Sequence, residues 1–342
     1  MFFLLGVFGT QTFASRATNL VLGAGDAGTV LQGGSFFYED NYNIFYNPAY
    51  VNDFKNWAII EKSGAPNATA QGGFVASIAS FNFGLYLNRG NAIPSQLGLA
   101  SGGFGVPGTI TNQWSPNPVR PIDVFIGGDM GFKWGLGLTY SSAATIAGNS
   151  SLVVLHGGAE INGFEPFVSG TVSGSDVNGS HSFFRGGARY KWGEWTPYLA
   201  FATFNDPINA LGTASNHELN IGGGLGRNAH IAEGVRLLYA LSYWSVNDSV
   251  NSRNILPIDL SLEGDVVTWM TLRAGLSYRL IDRTSGVSAG DNTTGRFGAT
   301  AHAGKVDFEF AVGGGSAAGN IDSGSFDLAN GLFTAANLTY RW

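Results

Sequence analysis

The chain has 342 residues with 51 glycines, 13% aromatic residues and no cysteine. Only 12% of it is charged, against roughly a quarter in ordinary soluble domains. A net charge of −6 leaves no basic footprint for nucleic acid, and the missing thiols exclude disulfides, thiolate catalysis and cysteine-type zinc sites together.

Residues 2–8, FFLLGVF, form the one continuous apolar run, and Thr12-Phe13-Ala14 places small residues three and one before Ser15. This pattern predicts the end of a secretory signal over 1–14, although a basic leading region is missing; a retained apolar arm is the alternative. No stretch approaches the ~18 to 20 apolar residues of a membrane helix, so a chain of this kind crosses a membrane with strands.

Residues 15–53 are expected to form a plug or strap ahead of a barrel at 54–342, with no linker or composition shift dividing the latter. Small residues run through LGAGDAGTVLQGGSFFYEDNYNIFYNPAYV, residues 22–51, to Phe45-Tyr46-Asn47-Pro48-Ala49. This segment resembles the hatch of FadL-like transporters of hydrophobic compounds, whose N-terminal plug carries an Asn-Pro-Ala motif. The resemblance implies that Asn47, Pro48 and Ala49 are the plug motif and that Gly23, Gly25 and Gly28 supply its tight backbone. The alternative is a periplasmic strap in which Asn47-Pro48 initiates a turn.

Alternation dominates the rest of the chain. Phe81, Phe83, Leu85 and Leu87 oppose Asn82, Gly84, Tyr86 and Asn88; Phe132, Trp134, Leu136, Leu138 and Tyr140 oppose Lys133, Gly135, Gly137 and Thr139. The same period recurs in 256–263, 270–280 and 306–312. Successive strand residues face opposite sides, so each segment has a greasy face and a wet one. Repeats of about ten such residues mark a transmembrane barrel. The predicted fold is therefore all-β: a transmembrane antiparallel up-and-down β-barrel of about 16 strands, or 14 if weak segments such as 164–171 merge. Short turns at Ser80, Gly131, Asn162-Gly163, Gly193-Glu194 and Gly304 alternate with longer connections, which places both termini on the periplasmic side. The longest connection, 89–119, carries charge only at its margins, Arg89 and the adjoining Arg120, and no single role follows for it.

Parity also sorts the charges. Asp123, Asp129, Arg185, Arg189, Lys191, Glu218, Arg236, Asp259, Glu263, Arg273, Arg279, Arg296, Asp307 and Glu309 take the inward face and are the predicted pore-lining residues. An arginine at the lipid midplane costs about 2 to 4 kcal/mol, which is the physical reason for that placement. Two readings stay open: opposed basic and acidic walls that tune permeation, or a cross-braced structural interior. Trp134, Trp192, Trp195, Trp269 and Trp342 are expected in one interfacial belt and Tyr140, Tyr243 and Trp244 in the other. Trp269 falls on the polar parity, which implies an irregular strand end or an inward ring. The five histidines, His156, His181, His217, His230 and His302, form no catalytic spacing, so no enzyme activity, metal or other cofactor is expected.

The chain ends on Ala336, Leu338, Tyr340 and Trp342 of one parity. This ending resembles the C-terminal signal of Gram-negative outer-membrane barrels, in which the last strand closes the barrel. The resemblance implies Leu338, Tyr340 and Trp342 as an assembly signal read by the barrel assembly machinery. It also implies an outer-membrane location, contact with lipid and lipopolysaccharide, and a homo-oligomer as in porins. The function expected is a porin-like or FadL-like channel for small solutes or hydrophobic compounds. A structural oligomeric barrel that associates with or encloses lipid is the alternative, and here the chain is similar in size and low charge to lipid-trapping, porin-like barrels of predatory bacteria.

Overall fold

The structure, a computed structural model, describes residues 16–22, 35–63, 70–89, 120–145, 148–176, 179–206, 216–247, 252–284, 287–288, 293–313 and 335–342. The predicted signal 1–14, the glycines Gly23, Gly25 and Gly28, and nearly all of loop 89–119 lie outside these residues.

A closed antiparallel barrel of 16 strands is formed, with every strand hydrogen-bonded to its sequence neighbours. It begins with β1 (Trp57–Ser63), β2 (Gln71–Ile78), β3 (Phe81–Leu87), β4 (Ile122–Asp129), β5 (Lys133–Thr145), β6 (Gly148–Glu160) and β7 (Phe164–Asp176). It continues with β8 (Gly179–Ser180), β9 (Ser182–Tyr190), β10 (Trp195–Asp206), β11 (Asn216–Ala232), β12 (Val235–Asn247), β13 (Ser252–Val267) and β14 (Met270–Thr284). The last are β15 (Val287–Ser288), β16 (Thr293–Ala303), β17 (Val306–Gly313) and β18 (Ala335–Arg341). The short β8 and β15 begin the staves that β9 and β16 complete, so eighteen segments make 16 staves and the 14-strand alternative is excluded. The segment 164–171, weak in the sequence, belongs to a full stave, β7, paired on both sides.

Closure is made by β1 against β18, with Trp57 opposite Arg341 and Ser63 opposite Ala335. A closed sheet has no edge, so the strands satisfy one another's backbone groups without help from solvent. At one end the strands turn tightly; between β6 and β7, Asn162 and Gly163 both take positive φ, 51° and 81°. That pair is what a two-residue hairpin twisted with its strands requires, and asparagine and glycine are the residues that tolerate it.

The parity reading holds along the strands. Leu136, Leu276, Leu338 and Phe308 point outward and are exposed, whereas Thr139, Ser277, Thr339 and Asp307 point inward and are buried. Trp192, Trp269 and Trp342 are exposed at strand ends, Tyr140 and Tyr243 are exposed on the outer face within β5 and β12, and the Tyr340 and Trp342 rings stack 6.1 Å apart. Trp269 resolves as the irregular end: it sits in the turn after a register shift between Asp265 and Val267. Trp244 corrects the expected belt. It is fully buried, pointing into the lumen between Gly222 opposite and Tyr198, because its strand carries Leu241 and Tyr243 on the outer parity.

Candidate functional site

The lumen is occupied by the chain's own N-terminal residues. Two short 3-10 helices, η1 (Asn41–Phe45) and η2 (Pro48–Asn52), are buried in the barrel, together with a short α-helix, α1 (Arg16–Leu22), on the opposite wall. Local chemistry fixes each turn. The Asp40 carboxylate accepts from the amides of Tyr42 and Asn43 and caps η1. Asn47 accepts from the Ala49 amide and caps η2, with Pro48 at its first position, where no amide is needed.

The barrel wall is carved to receive η2. Gly127, Gly135 and Gly158 are directly opposite one another on β4, β5 and β6. A Cβ at Gly158 would lie 1.9 Å from Asn47 Oδ1, one at Gly135 2.2 Å from the Pro48 carbonyl, and one at Gly127 2.5 Å from Val51. The three glycines thus form a floor on which Asn47, Pro48 and Ala49 sit, and the Asn47 amide donates to the Ala159 carbonyl at 3.2 Å.

Aromatic packing completes this wedge. Phe36 stacks on Tyr198 at 4.1 Å, Tyr46 meets Phe167 at 5.1 Å, and Phe45 meets both Tyr86 and Phe125 edge-on. These rings, with Tyr42, Tyr50, Phe54, Trp57 and Trp244, make one buried apolar core across the lumen.

The wall charges around the wedge are committed to it. Glu61 accepts from Tyr42 and Tyr86 and, at 3.1 Å, from Gln71. Glu165 accepts from Tyr50 at 2.7 Å and pairs with Arg189, which also donates to the Phe36 carbonyl at 3.0 Å. Lys191 contacts Glu39 at 2.6 Å and Glu165 at 2.7 Å, and Lys133 bridges Asp53 at 2.5 Å and Glu160 at 2.9 Å. Arg185 donates to the Phe45 carbonyl at 2.8 Å. Arg89 lies 4.0 Å over the Phe45 ring while holding Asp123, which in turn accepts from Thr139.

On the far wall the described charges brace one another. Glu263 holds Arg236 and, at 2.6 Å, Arg273. Asp282 holds Arg253 at 2.6 Å and Arg279 at 2.8 Å. Asp307 meets Arg341 at 2.7 Å and His302 at 2.8 Å, and Glu309 accepts from Thr300 and Asn337. Arg279 reaches Asp282 of its own strand, and the register sets Asp259 across from Ser277 and Arg279 across from Pro257. Glu218 and Asp259 are buried inward, and Arg296 is half-buried on the inner face. Asp129 departs from its inward parity in effect: it lies exposed at the turn and accepts from the Gly131 amide at 3.0 Å.

Among the described residues, Asp123, Arg189, Lys191, Arg236, Glu263, Arg273, Arg279 and Asp307 of the predicted lumen set lie in ion pairs. Sequence reading missed Glu61, Lys133, Glu160, Glu165, Arg253 and Asp282. The signal was present in β1 and β7, where Ile60 and Val168 face outward and leave Glu61 and Glu165 on the inner parity.

Among groups outside the strands, burial pushes the Asp40 carboxyl up to about 8, against the pull of its hydrogen-bond donors. Burial also raises Glu39, but Arg189 and Lys191 more than offset this and hold its carboxyl below the usual range.

No protein-family model and no curated protein matches the sequence. Among solved structures, the chain is similar to OmpT of Vibrio cholerae, at 10% identity and a TM-score of 0.45 over 84% of this chain and 95% of that one. It is also similar to a porin, at 11% identity and a TM-score of 0.41 over 84% and 99%. A bacterial polysaccharide outer-membrane secretin matches at 9% identity and a TM-score of 0.37 over 84% and 98%. At these values the likenesses bear on no cargo or activity.

Proposed function

We propose that this protein is an outer-membrane transport barrel held shut by its own N-terminal plug, made of residues 15–53. The observation that carries the reading is the seating of Asn47, Pro48 and Ala49 on the floor of Gly127, Gly135 and Gly158, across a lumen already crossed by aromatic packing. A loose strap outside the barrel needs no such floor. The exposed apolar exterior with aromatic ends supports residence in a lipid bilayer, and the closing strand with Leu338, Tyr340 and Trp342 supports assembly by the barrel machinery of a Gram-negative outer membrane. The hatch-like motif supports kinship in mechanism with FadL-like transporters, although the barrel has 16 strands where that family has 14.

Deleting residues 15–53 tests the reading in planar bilayers. The deletion variant is expected to give stable conductance steps that the full chain lacks. Equal conductance from the two proteins would sink the plug assignment.

A second reading draws on the completeness of the aromatic fill: a sealed structural barrel that works as a homo-oligomer and associates with lipid. Its mark is a deletion variant that stays closed together with a purified full chain that carries stoichiometric lipid at an oligomeric mass.

A further inference from the structure

The two parts of the N-terminal segment are held in physically different ways. The wedge of η1 and η2 is tied in by charges: the buried Arg189 reaches the Phe36 carbonyl, the buried Glu61 and Glu165 accept from Tyr42 and Tyr50, and the half-buried Lys133 and Lys191 reach Asp53 and Glu39. Withdrawing it strips several buried ions of partners, each loss being strongly unfavourable. Residues 17–22 of α1 carry no charged side chain. Ala17, Val21 and Leu22 rest on Leu238, Ala311 and Ala335, and the Val21 and Leu22 carbonyls accept only long hydrogen bonds from Ser261, 3.5 and 3.4 Å. One link from α1 toward the wedge is the Asn19 amide, which donates to Asp40 at 2.6 Å while Asn19 accepts from Tyr38 at 2.8 Å. If α1 leaves, Asp40 keeps its two backbone donors.

The wall behind α1 holds ion pairs that do not involve the helix. Glu263 with Arg273, and Asp282 with Arg253, are paired strand to strand and lie on the inner face. Leu238, Ala311 and Ala335 leave a small apolar patch where the helix rested, but the same wall carries ion pairs of both signs, so the uncovered surface offers polar partners with little selectivity by charge.

Resting on the plugged-transport reading, we propose that the passage runs along the β12–β18 wall, that α1 is the part of the plug that closes it, and that it admits small polar solutes, while the wedge stays seated. The seat of α1 supplies the test. A Cβ at Gly275 would lie 2.0 Å from the Val21 carbonyl oxygen, so Gly275→Val evicts the helix from inside the barrel. Val21→Asp does the same from the helix and leaves the barrel sequence untouched, which covers a failure of Gly275→Val to fold.

The probes are bilayer conductance and swelling of liposomes in isosmotic arabinose or glycine, with the 15–53 deletion in parallel and heat-dependent gel mobility confirming folded barrels. The expected result is that Val21→Asp, and Gly275→Val where it folds, admit sugar and amino acid several-fold faster than wild type. If the deletion conducts and Val21→Asp remains as tight as wild type, the assignment to α1 is overturned and the plug reading survives. If the helix variants admit an apolar fluorescent probe but no arabinose, the solute class is overturned. If no variant conducts, including the deletion, the transport reading itself falls.

Discussion

Glu165 shows how single residues carry this interior. It is fully buried, Tyr50 donates to it, and Arg189 and Lys191 contact it and also share Glu39. Arg189→Ala is expected to cost about 3 to 5 kcal/mol, because it leaves that carboxylate short of a partner in a low-dielectric site. The check is the midpoint of urea unfolding followed by tryptophan fluorescence in detergent micelles; a change under about 1 kcal/mol, the scale of an exposed pair, would remove Glu165 from the anchors.

Asp40 gives the wedge a pH dependence of known sign. Its folded-state value, about 8, is raised above the ordinary 3.8, so its contribution to seating is fully present below the ordinary value and is lost as the pH rises through about 8. Glu39 acts oppositely, being held low, and its contribution is lost only as the pH falls through its lowered value, below the ordinary 4.5. Between pH 5 and 8 protection of the wedge from protease should therefore fall as pH rises, and Asp40→Asn, which still caps η1, should flatten the slope. An unchanged slope in Asp40→Asn would assign it to another group.

At the level of elements, the strands were legible because lipid and lumen impose opposite chemistry on alternate residues. Met270 to Leu280 reads outward and inward without a break, and the structure follows it. Leu338→Arg, on the outward face, should therefore cost about 2 to 4 kcal/mol of membrane insertion and reduce the folded fraction in membranes. Replacing the inward Ser277 should leave insertion unchanged. Equal insertion of wild type and Leu338→Arg would overturn the facing assignment.

The wedge was legible only as a motif. Asn47-Pro48 announces a helix start, but nothing along the sequence links Gly127, Gly135 and Gly158. They become one floor only through strand register. Trp244 was misplaced for a related reason: an aromatic near a strand end satisfies both an interfacial belt and a lumen core, and only the parity of Leu241 and Tyr243 separates them. Ion pairs were legible as faces but not as partners, as the contact of Arg279 with Asp282 of its own strand shows.

For the whole molecule, the barrel and its N-terminal segment act as one folded object. The lumen core joins residues from 36 to 57 with residues on β2, β3, β4, β7, β10, β12 and β13. Such a plug stabilises the barrel from within as well as closing it, so Gly158→Val, which places a side chain where Asn47 sits, should both lower thermal stability and raise conductance. A wholly structural fill would couple stability to the inner glycine but leave conductance unchanged.

The claim that the chain fills its own lumen is tested most directly by zero-length carbodiimide cross-linking of the wild-type protein in membranes, followed by peptide mass spectrometry. Lys133 lies 2.5 Å from Asp53 and Lys191 lies 2.6 Å from Glu39, each pair joining the N-terminal segment to the wall. The account predicts cross-linked peptides for both pairs. Cross-links from these lysines to Glu160 and Glu165 alone, with none to Asp53 or Glu39, would contradict it.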